Sequence, residues 1–447
     1  MQKKIETQYK FFLSFAQIMT STKKYLLVVG GPTASGKTML SIQLAQHFNA
    51  PVLSADSRQF YTELEIGNAR PSQEELSQAS HHFIADRSVK TLLSAGEFAK
   101  EAMRFLDKHF LNHNIAILVG GSGLFLKAVT EGLNAFPEIP DEIRQKVDAV
   151  FDKEGIVGLQ NALLKADPDY FKIVDKNNHS RLKRALEVCF AGEYSYSYYR
   201  TKENAEKVFI PIYLQTSWPR EDLYQRINMR VDRMLKEGLE EEARNLMPFQ
   251  HLSALKTVGY QEWFAYFNGE YDRDRAVELI KQNTRRYAKR QLSWFRRDGY
   301  WKQIFKGDLR SALTYIKMVQ SENTVLIAPQ KDSPEKEHPK YKHIYTQLGR
   351  GSNPIASTVI WKAKQAACLK KWDMKGLSHT AKNILLHESV HRAETEQVFV
   401  IVYEHEKNTF QSIGFEEVKP GLMPKCLQEE TLEDKHLLVW NKSQQKF

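Results

Sequence analysis

The chain has 447 residues, of which 42% are hydrophobic and 26% charged, and this length implies two or three domains rather than one ordinary core. Three widely spaced cysteines, Cys189, Cys368 and Cys426, argue against a disulfide framework or a thiolate zinc site and fit a reducing cytosol. The net charge of +10 points to a polyanionic partner, and no apolar run reaches the roughly 20 residues that would span a bilayer.

Residues 1–23, with the short apolar stretch FFLSFAQIM, read as a variable lead-in, and Met19 is a candidate start. KYLLVVG (24–30) is then an apolar strand, followed by a glycine loop and a helix from Lys37 to about Phe48. PVLSADS and NIAILVGGSG are two further strands, each ending in polar or small residues. Strands alternating with helices imply a parallel sheet that places ligand groups at the strand C-termini. Residues 137–205 turn helical and charged. KVFIPIYLQ reads as the last strand of the sheet, and helices dominate from 219 to 303. Residues 304–350 carry a helix, a short strand and a polar linker-like run, and a separate strand–helix–strand domain follows over 351–447. The domain boundary is expected near 305–320.

The glycine loop Gly31-Pro32-Thr33-Ala34-Ser35-Gly36-Lys37-Thr38 lies between a strand and a helix, the context of a phosphate-binding loop. Its backbone N–H groups converge on phosphate oxygens, Lys37 supplies charge, and the Thr38 hydroxyl is a candidate Mg²⁺ ligand. ATP is the ordinary cargo of such a loop, and hydrolysis needs an acid at the end of a neighbouring strand. IAILV ends in Gly120-Gly121-Ser122 instead, which disfavours a nucleotide kinase or NTPase. An acid appears elsewhere, Asp56 at the end of PVLSADS, suited to general-base work beside bound phosphates or, more simply, to capping the next helix.

In order along the chain stand GPTASGKT, ADSRQFY with IGNARP, HHFI, VGGSGLFLKA, HSRLKRALEV, LYQRINMRVDRMLKEGL, TVGYQEW and TRRYAKRQLSWFRR. Over residues 24–303 this series resembles the tRNA dimethylallyltransferases. The resemblance implies a P-loop NTPase-like α/β core (24–136 and 206–303) with a helical insertion (137–205) that contacts tRNA. It implies transfer of the dimethylallyl group of dimethylallyl diphosphate, with Mg²⁺, to the exocyclic amine of the adenosine 3′ to the anticodon. The loop then grips a diphosphate leaving group, and Asp56, Ser122 and Lys37 are the catalytic candidates. Arg181 would join Gly31 to Thr38 around the diphosphate. Asp56, Ser57, Arg58, Gln59 and Ser122 would meet the flipped-out adenosine and its neighbours, which must leave the anticodon stack to be reached. Arg144 and the run Ser180, Arg181, Leu182, Lys183, Arg184 would contact the anticodon stem-loop. Ser122 stands where the family usually has Thr, and Ser180 where Gln is common. A monomeric cytoplasmic enzyme is the expectation.

From Lys281 to Lys306 nine Lys/Arg face a single acid, Asp298, with Tyr287, Trp294, Phe295, Tyr300 and Trp301 interleaved. Trp294 and Phe295 read as core. Arg285, Lys289 and Arg290 read as RNA contacts on the match to the family. His81 and His82 read as structural, with no third ligand for a metal. Two other readings are an adenylate prenyltransferase acting on a free nucleotide and a non-catalytic RNA-binding protein.

The segment AKNILLHESVHRAETEQVFVIVYEHEKNTFQSIGFEEVKPGLMPK (381–425) resembles the second half of the GCN5-related N-acetyltransferase fold. In the coenzyme A loop of that family two later glycines are replaced here by Ser378 and Thr380, after Lys375-Gly376-Leu377. A Cβ at each position obstructs a close backbone approach to phosphate. A degenerate acyl-CoA-binding module and a domain kept for RNA or protein contact both remain open.

Overall fold

Strand β1 (Tyr25–Gly30) is buried along its whole length, as expected of the central strand of a parallel sheet covered on both faces. The computed structural model describes residues 23–134, 136–200, 207–298 and 300–322, and then 325–327, 342–350, 353–362, 366–374, 377–393, 397–412, 415–417 and 435–441. The lead-in before residue 23, the polar run 328–341, and Lys375 and Gly376 lie outside the described residues.

Around β1 the chain builds a six-stranded sheet with β2 (Val52–Ser54), β3 (His81–His82), β4 (Ile115–Gly120), β5 (Ile210–Ser217) and β6 (Lys302–Phe305). Its order is β3-β2-β4-β1-β5-β6, and every pairing is parallel. The α/β core is thus the one expected, with a correction at one edge. KVFIPIYLQ is not the last strand, because β6 pairs with β5 from Leu214↔Lys302 to Ser217↔Phe305. Its four residues, KQIF, are too short and too mixed in polarity to read as a strand before the partner is known.

The first helices of the chain are α1 (Lys37–Phe48), α2 (Gln73–Ser77), α3 (Ala95–His109) and α4 (Gly123–Thr130), with residues 95–101 of α3 and 127–130 of α4 counted in a second unit. The compact helical unit gathers residues 95–101 and 127–208. It contains α5 (Asp141–Ala166), α6 (Pro168–Ile173), α7 (His179–Ala191) and α8 (Tyr196–Tyr199) around Val147, Leu159, Leu163, Leu182 and Leu186. The larger unit resumes with α9 (Arg220–Glu237), α10 (Leu239–Asn245), α11 (Tyr260–Phe267), α12 (Arg273–Asp298) and α13 (Leu309–Glu322).

Beyond α13 a second sheet contains β7 (Val325–Ile327), β8 (Lys342–Arg350), β9 (Asn353–Lys362), β10 (Ala366–Asp373), β11 (Gln397–Tyr403), β12 (Phe415–Glu417) and β13 (Lys435–Asn441), in the order β12-β13-β11-β10-β9-β8-β7. Helix α14 (His379–Ala393) precedes β11 and α15 (Glu404–Gln411) follows it, the expected succession of long helix, strand and short helix. Its pairings are antiparallel except that of β10 with β11.

The extension has its own sheet, but no core boundary falls near 305–320. Tyr25, Leu27 and Val29 of β1, Leu40 and Leu44 of α1, Tyr315, Ile316 and Val319 of α13, and Ala381, Ile384 and Leu385 of α14 belong to one continuous buried cluster. A buried ion network accompanies it. Glu388 of α14 accepts hydrogen bonds from Lys302 Nζ (3.2 Å) and the Gln303 N–H (3.1 Å) of β6, and from Arg392 Nε (3.0 Å). Burial alone would raise the Glu388 pKa, but Lys302 and Arg392 outweigh it and hold the carboxyl below its ordinary value.

Candidate active site

The loop after β1 turns into α1 through Gly36, whose φ of +86° is a left-handed conformation that L side chains rarely adopt. Its carbonyls are turned away and held. Ala34 O accepts from Arg226 Nε (2.8 Å), Ser35 O from Trp218 Nε1 (2.9 Å), and Pro32 O from Lys37 Nζ (3.2 Å). Arg226 lies 4.2 Å over the Trp218 ring, so α9 and Trp218, two residues before it, brace the loop together. Pointing the carbonyls outward leaves the N–H groups of Gly36, Lys37 and Thr38, which open the helix and have no carbonyl one turn back, for an anion.

Two loop residues play narrower parts than expected. The Ser35 side chain is fully buried, donating to Pro32 O (2.7 Å) and pairing with Thr216 Oγ1 (2.6 Å), so it braces the loop from the sheet side. The Thr33 N–H is taken by Gln291 Oε1 (2.9 Å), while Gln291 Nε2 donates to Gly121 O (2.9 Å). One buried amide of α12 therefore ties the phosphate loop to the β4 loop. Nothing in the local sequence marks Gln291, because both partners are distant in the chain.

The loop opens on a cavity of about 420 Å³ whose lining residues all belong to the larger unit. Thr33, Lys37 and Thr38 line one side, and Asp56, Ser57, Arg58 and Gln59 another, so the expected phosphate loop and acid share one chamber. Asp56 Oδ1 accepts the Arg58 N–H (3.1 Å) in a local turn that fixes the carboxylate. Val119 and Gly120 also line the cavity, whereas Ser122 does not. Its carbonyl instead accepts the N–H groups of Phe125 and Leu126 at the start of α4.

Burial, helped by the nearby charge of Arg230 and opposed by Asp56, lowers the Lys37 pKa to about 8. Arg230 lines the same cavity and is itself depressed by burial, with Asp56 opposing. The sequence reading missed Arg230 as a site residue. The available signal was its place on the inward stripe of α9, between the buried Ile227 and Val231 and one turn from Arg226. Tyr287 lines the cavity from α12, its hydroxyl pushed up to about 12 by burial and then by Asp56.

Helix α12 divides its residues by face. Phe295 is buried, as expected, Trp294 is half-buried against Gly123, and Phe295 and Trp301 lie against Gly30 at the end of β1. Arg290 lines the cavity, Lys289 is exposed, and Arg285 donates to Asn228 Oδ1 (2.7 Å) on α9. His81 also lines the cavity, its Nδ1 hydrogen-bonded to Ala79 O (2.8 Å), and His82 packs on Phe105. Among the described residues no three His, Cys, Asp or Glu gather as a metal site.

The remaining candidates lie in the helical unit. Arg144 pairs with Asp141 (3.1 Å), Lys183 with Asp148 (2.6 Å) and Arg184 with Glu187 (3.5 Å). Ser180 and Arg181 are exposed at the start of α7. Leu182 is corrected: its side chain is fully buried in the core of this unit because it occupies the inward face of α7 with Ala185 and Leu186, and it offers no surface to a ligand.

A family model described as IPP transferase matches residues 59–298. The chain is 47% identical over 274 residues to the tRNA dimethylallyltransferase of Christiangramia forsetii, a match covering 61% of this chain and 91% of that protein. The chain belongs to the tRNA dimethylallyltransferase family. A second family member, from Cytophaga hutchinsonii, is 41% identical over 67% of this chain and 98% of its own length. Among solved structures, the full-length tRNA isopentenylpyrophosphate transferase of Bacillus halodurans is 30% identical with a TM-score of 0.50, covering 67% of this chain and 98% of that one. A eukaryotic dimethylallyltransferase captured acting on tRNA shares the fold at 21% identity and a TM-score of 0.56, covering 74% of this chain and 91% of that one. These family members are matched over nearly their full length by about two-thirds of this chain, so most of the extension is additional to them.

Proposed function

We propose that this chain transfers the dimethylallyl group of dimethylallyl diphosphate to the exocyclic amine of the adenosine 3′ to the anticodon of tRNA, acting as a monomer in the cytoplasm. The observation that carries the reading is that Thr33, Lys37 and Thr38 of the glycine loop line one cavity with Arg230 and the Asp56 carboxylate. In the reaction the allylic C–O bond breaks and its electron pair leaves with the diphosphate. The adenosine nitrogen forms the new C–N bond, and its proton passes to Asp56. The cations hold charge that grows on the departing group, where preorganised electrostatics acts most strongly. Lys37 and Arg230 supply that charge from positions fixed before the substrate arrives.

Mg²⁺ fits this site as an ion carried by diphosphate oxygens, with Thr38 as its protein ligand, since Mg²⁺ ordinarily binds with substrate phosphates and few protein groups. When bound it would neutralise part of the leaving-group charge. Ser122 lies outside the cavity lining, so its role is to begin α4 rather than to touch the amine directly. The exposed cations of the helical unit, Arg144, Arg181 and Arg184, with the half-buried Lys183, and Lys289 and Arg290 on α12, are assigned to RNA, and the diphosphate role of Arg181 is assigned on the family resemblance. A free-nucleotide acceptor has no use for a helical unit of 89 residues bearing such cations. For the extension, the order of α14, β11 and α15 favours the acetyltransferase-like fold, and no acyl transfer is assigned to it.

The test is incubation of the full chain with labelled dimethylallyl diphosphate and either unmodified tRNA or AMP. Label is expected in tRNA alone, and label in AMP but not tRNA would overturn the reading. Asp56→Asn should retain RNA binding and lose transfer. Undiminished turnover would remove Asp56 as the base.

A further inference from the structure

Glu242, midway along α10, spends its whole carboxylate on the wall of the cavity. Oε2 accepts the N–H groups of Glu65 (2.9 Å) and Ile66 (2.8 Å), and Oε1 accepts the Gly67 N–H (2.9 Å) and the Tyr260 hydroxyl (2.6 Å). Three consecutive backbone donors on one anion hold a loop far more firmly than surface ion pairs do, because charged acceptors make the stronger hydrogen bonds. The Tyr260 pKa is raised by burial and then by Glu242, which keeps its hydroxyl protonated and donating. Gly67 sits directly on that ring, and a Cβ at this position would lie 2.5 Å from the Tyr260 oxygen.

The held loop leads on to the acid. Gly67, Asn68 and Ala69 line the cavity. Asn68 Nδ2 donates to Arg58 O (2.9 Å), Gln59 Nε2 donates to Ala69 O (3.2 Å), and the Arg58 N–H donates to Asp56 Oδ1 (3.1 Å). Hydrogen bonds joined by short stretches of backbone therefore connect the Glu242 carboxylate to the Asp56 carboxylate. The phosphate loop is braced separately, by Arg226, Trp218 and Gln291, and the donor side meets the held loop through a long bond from Arg230 to Asn68 O (3.5 Å).

We propose that Glu242 is a positioning residue for the acceptor side of the reaction, fixing the 65–69 loop and through it the setting of Asp56, without serving the diphosphate side. The inference rests on the reading of Asp56 as the base. It predicts a split between the two substrates that a general loss of stability does not produce. Glu242→Gln puts an amide N–H₂ against one of its backbone or hydroxyl donors and displaces the loop. Displacements of about 1 Å at a reacting group cost on the order of 10²-fold in rate.

The experiment uses the full chain, with calorimetric titration of dimethylallyl diphosphate to count competent sites and steady-state transfer to an anticodon stem-loop RNA. For Glu242→Gln, turnover per donor-binding site should fall roughly 10- to 100-fold while the donor dissociation constant stays within about threefold. Gly67→Ala, which lifts the same loop off Tyr260 with Glu242 intact, should reproduce the split, and it also serves if Glu242→Gln does not fold. Tyr260→Phe keeps all three backbone donors on Glu242 and should remain within about threefold of the parent. Unchanged turnover per donor site in both Glu242→Gln and Gly67→Ala would overturn the proposal, as would loss of donor affinity in step with turnover. Asp56→Asn is run in parallel. If it turns over normally the base assignment fails, whereas an inactive Asp56→Asn beside a fully active Glu242→Gln removes only the positioning role.

Discussion

Replacing Glu388 by Gln tests whether the extension and the catalytic sheet form one cooperative body. Glu388 is 0% exposed and Lys302 4% by side chain, so the substitution leaves an ammonium buried against β6 without its counter-charge. Breaking a buried pair in this way costs about 3–5 kcal/mol. At about 2 °C per kcal/mol, the low end expected for a body this large, the melting temperature should fall by about 6–10 °C. The triple replacement Glu388→Leu, Lys302→Met and Arg392→Met, which removes every charge of the network, should recover most of that loss, since apolar groups of similar volume replace buried ion networks without penalty. The pH dependence has a definite sign. The folded-state pKa of Glu388 is depressed, so its contribution is fully present above the unfolded carboxylate value and fades as pH falls through the folded value. The difference between parent and variant should therefore shrink on acidification. Scanning calorimetry reads both effects, with a single transition expected for the larger unit. Two resolved transitions, with the substitution moving only one, would refute the shared core, and so would an unchanged melting temperature.

Lys37 is depressed to about 8, so the free protein loses this charge as pH rises through that value, and the Michaelis constant for dimethylallyl diphosphate should be flat below about pH 7.5 and climb above 8. A constant value from pH 7 to 9.5 would mean that Lys37 does not govern donor binding. Gln291→Ala orphans the Thr33 N–H and Gly121 O together, at about 1–3 kcal/mol each, and should lower stability and raise the donor Michaelis constant. Parent-like values of both would show that water replaces the amide without loss. Removing residues 323–447 strips Leu326, Leu348, Ala381, Ile384 and Leu385 from the cluster they share with β1 and α1, so the shortened chain should aggregate or melt well below the parent. A soluble truncated chain with the parent's melting temperature would contradict this.

Local chemistry was enough to read the catalytic third of the problem. The strand–glycine loop–helix pattern and the polar end of PVLSADS located Lys37, Thr38 and Asp56 in one cavity, because each role is written in short spacing: Gly36 for a left-handed turn, Thr38 in the first helical turn, an acid just past a strand. Phe295 near the end of α12 was legible as core for the same reason, its place in the periodicity of one long helix.

What escaped the sequence reading depends on partners far apart in the chain. Gln291 matters through Thr33, 258 positions away, and Glu242 through backbone groups some 175 positions upstream. Leu182 stands in a run of cations yet points inward, because helical facing rather than neighbourhood decides exposure. β6 becomes a strand only beside β5, and the extension, expected as a body apart, shares apolar surface and a buried charge network with the sheet that carries the phosphate loop. Residue types and short spacings thus name the candidate groups. Long-range hydrogen bonds and shared burial, which exist only once the chain has folded, decide what holds those groups in place.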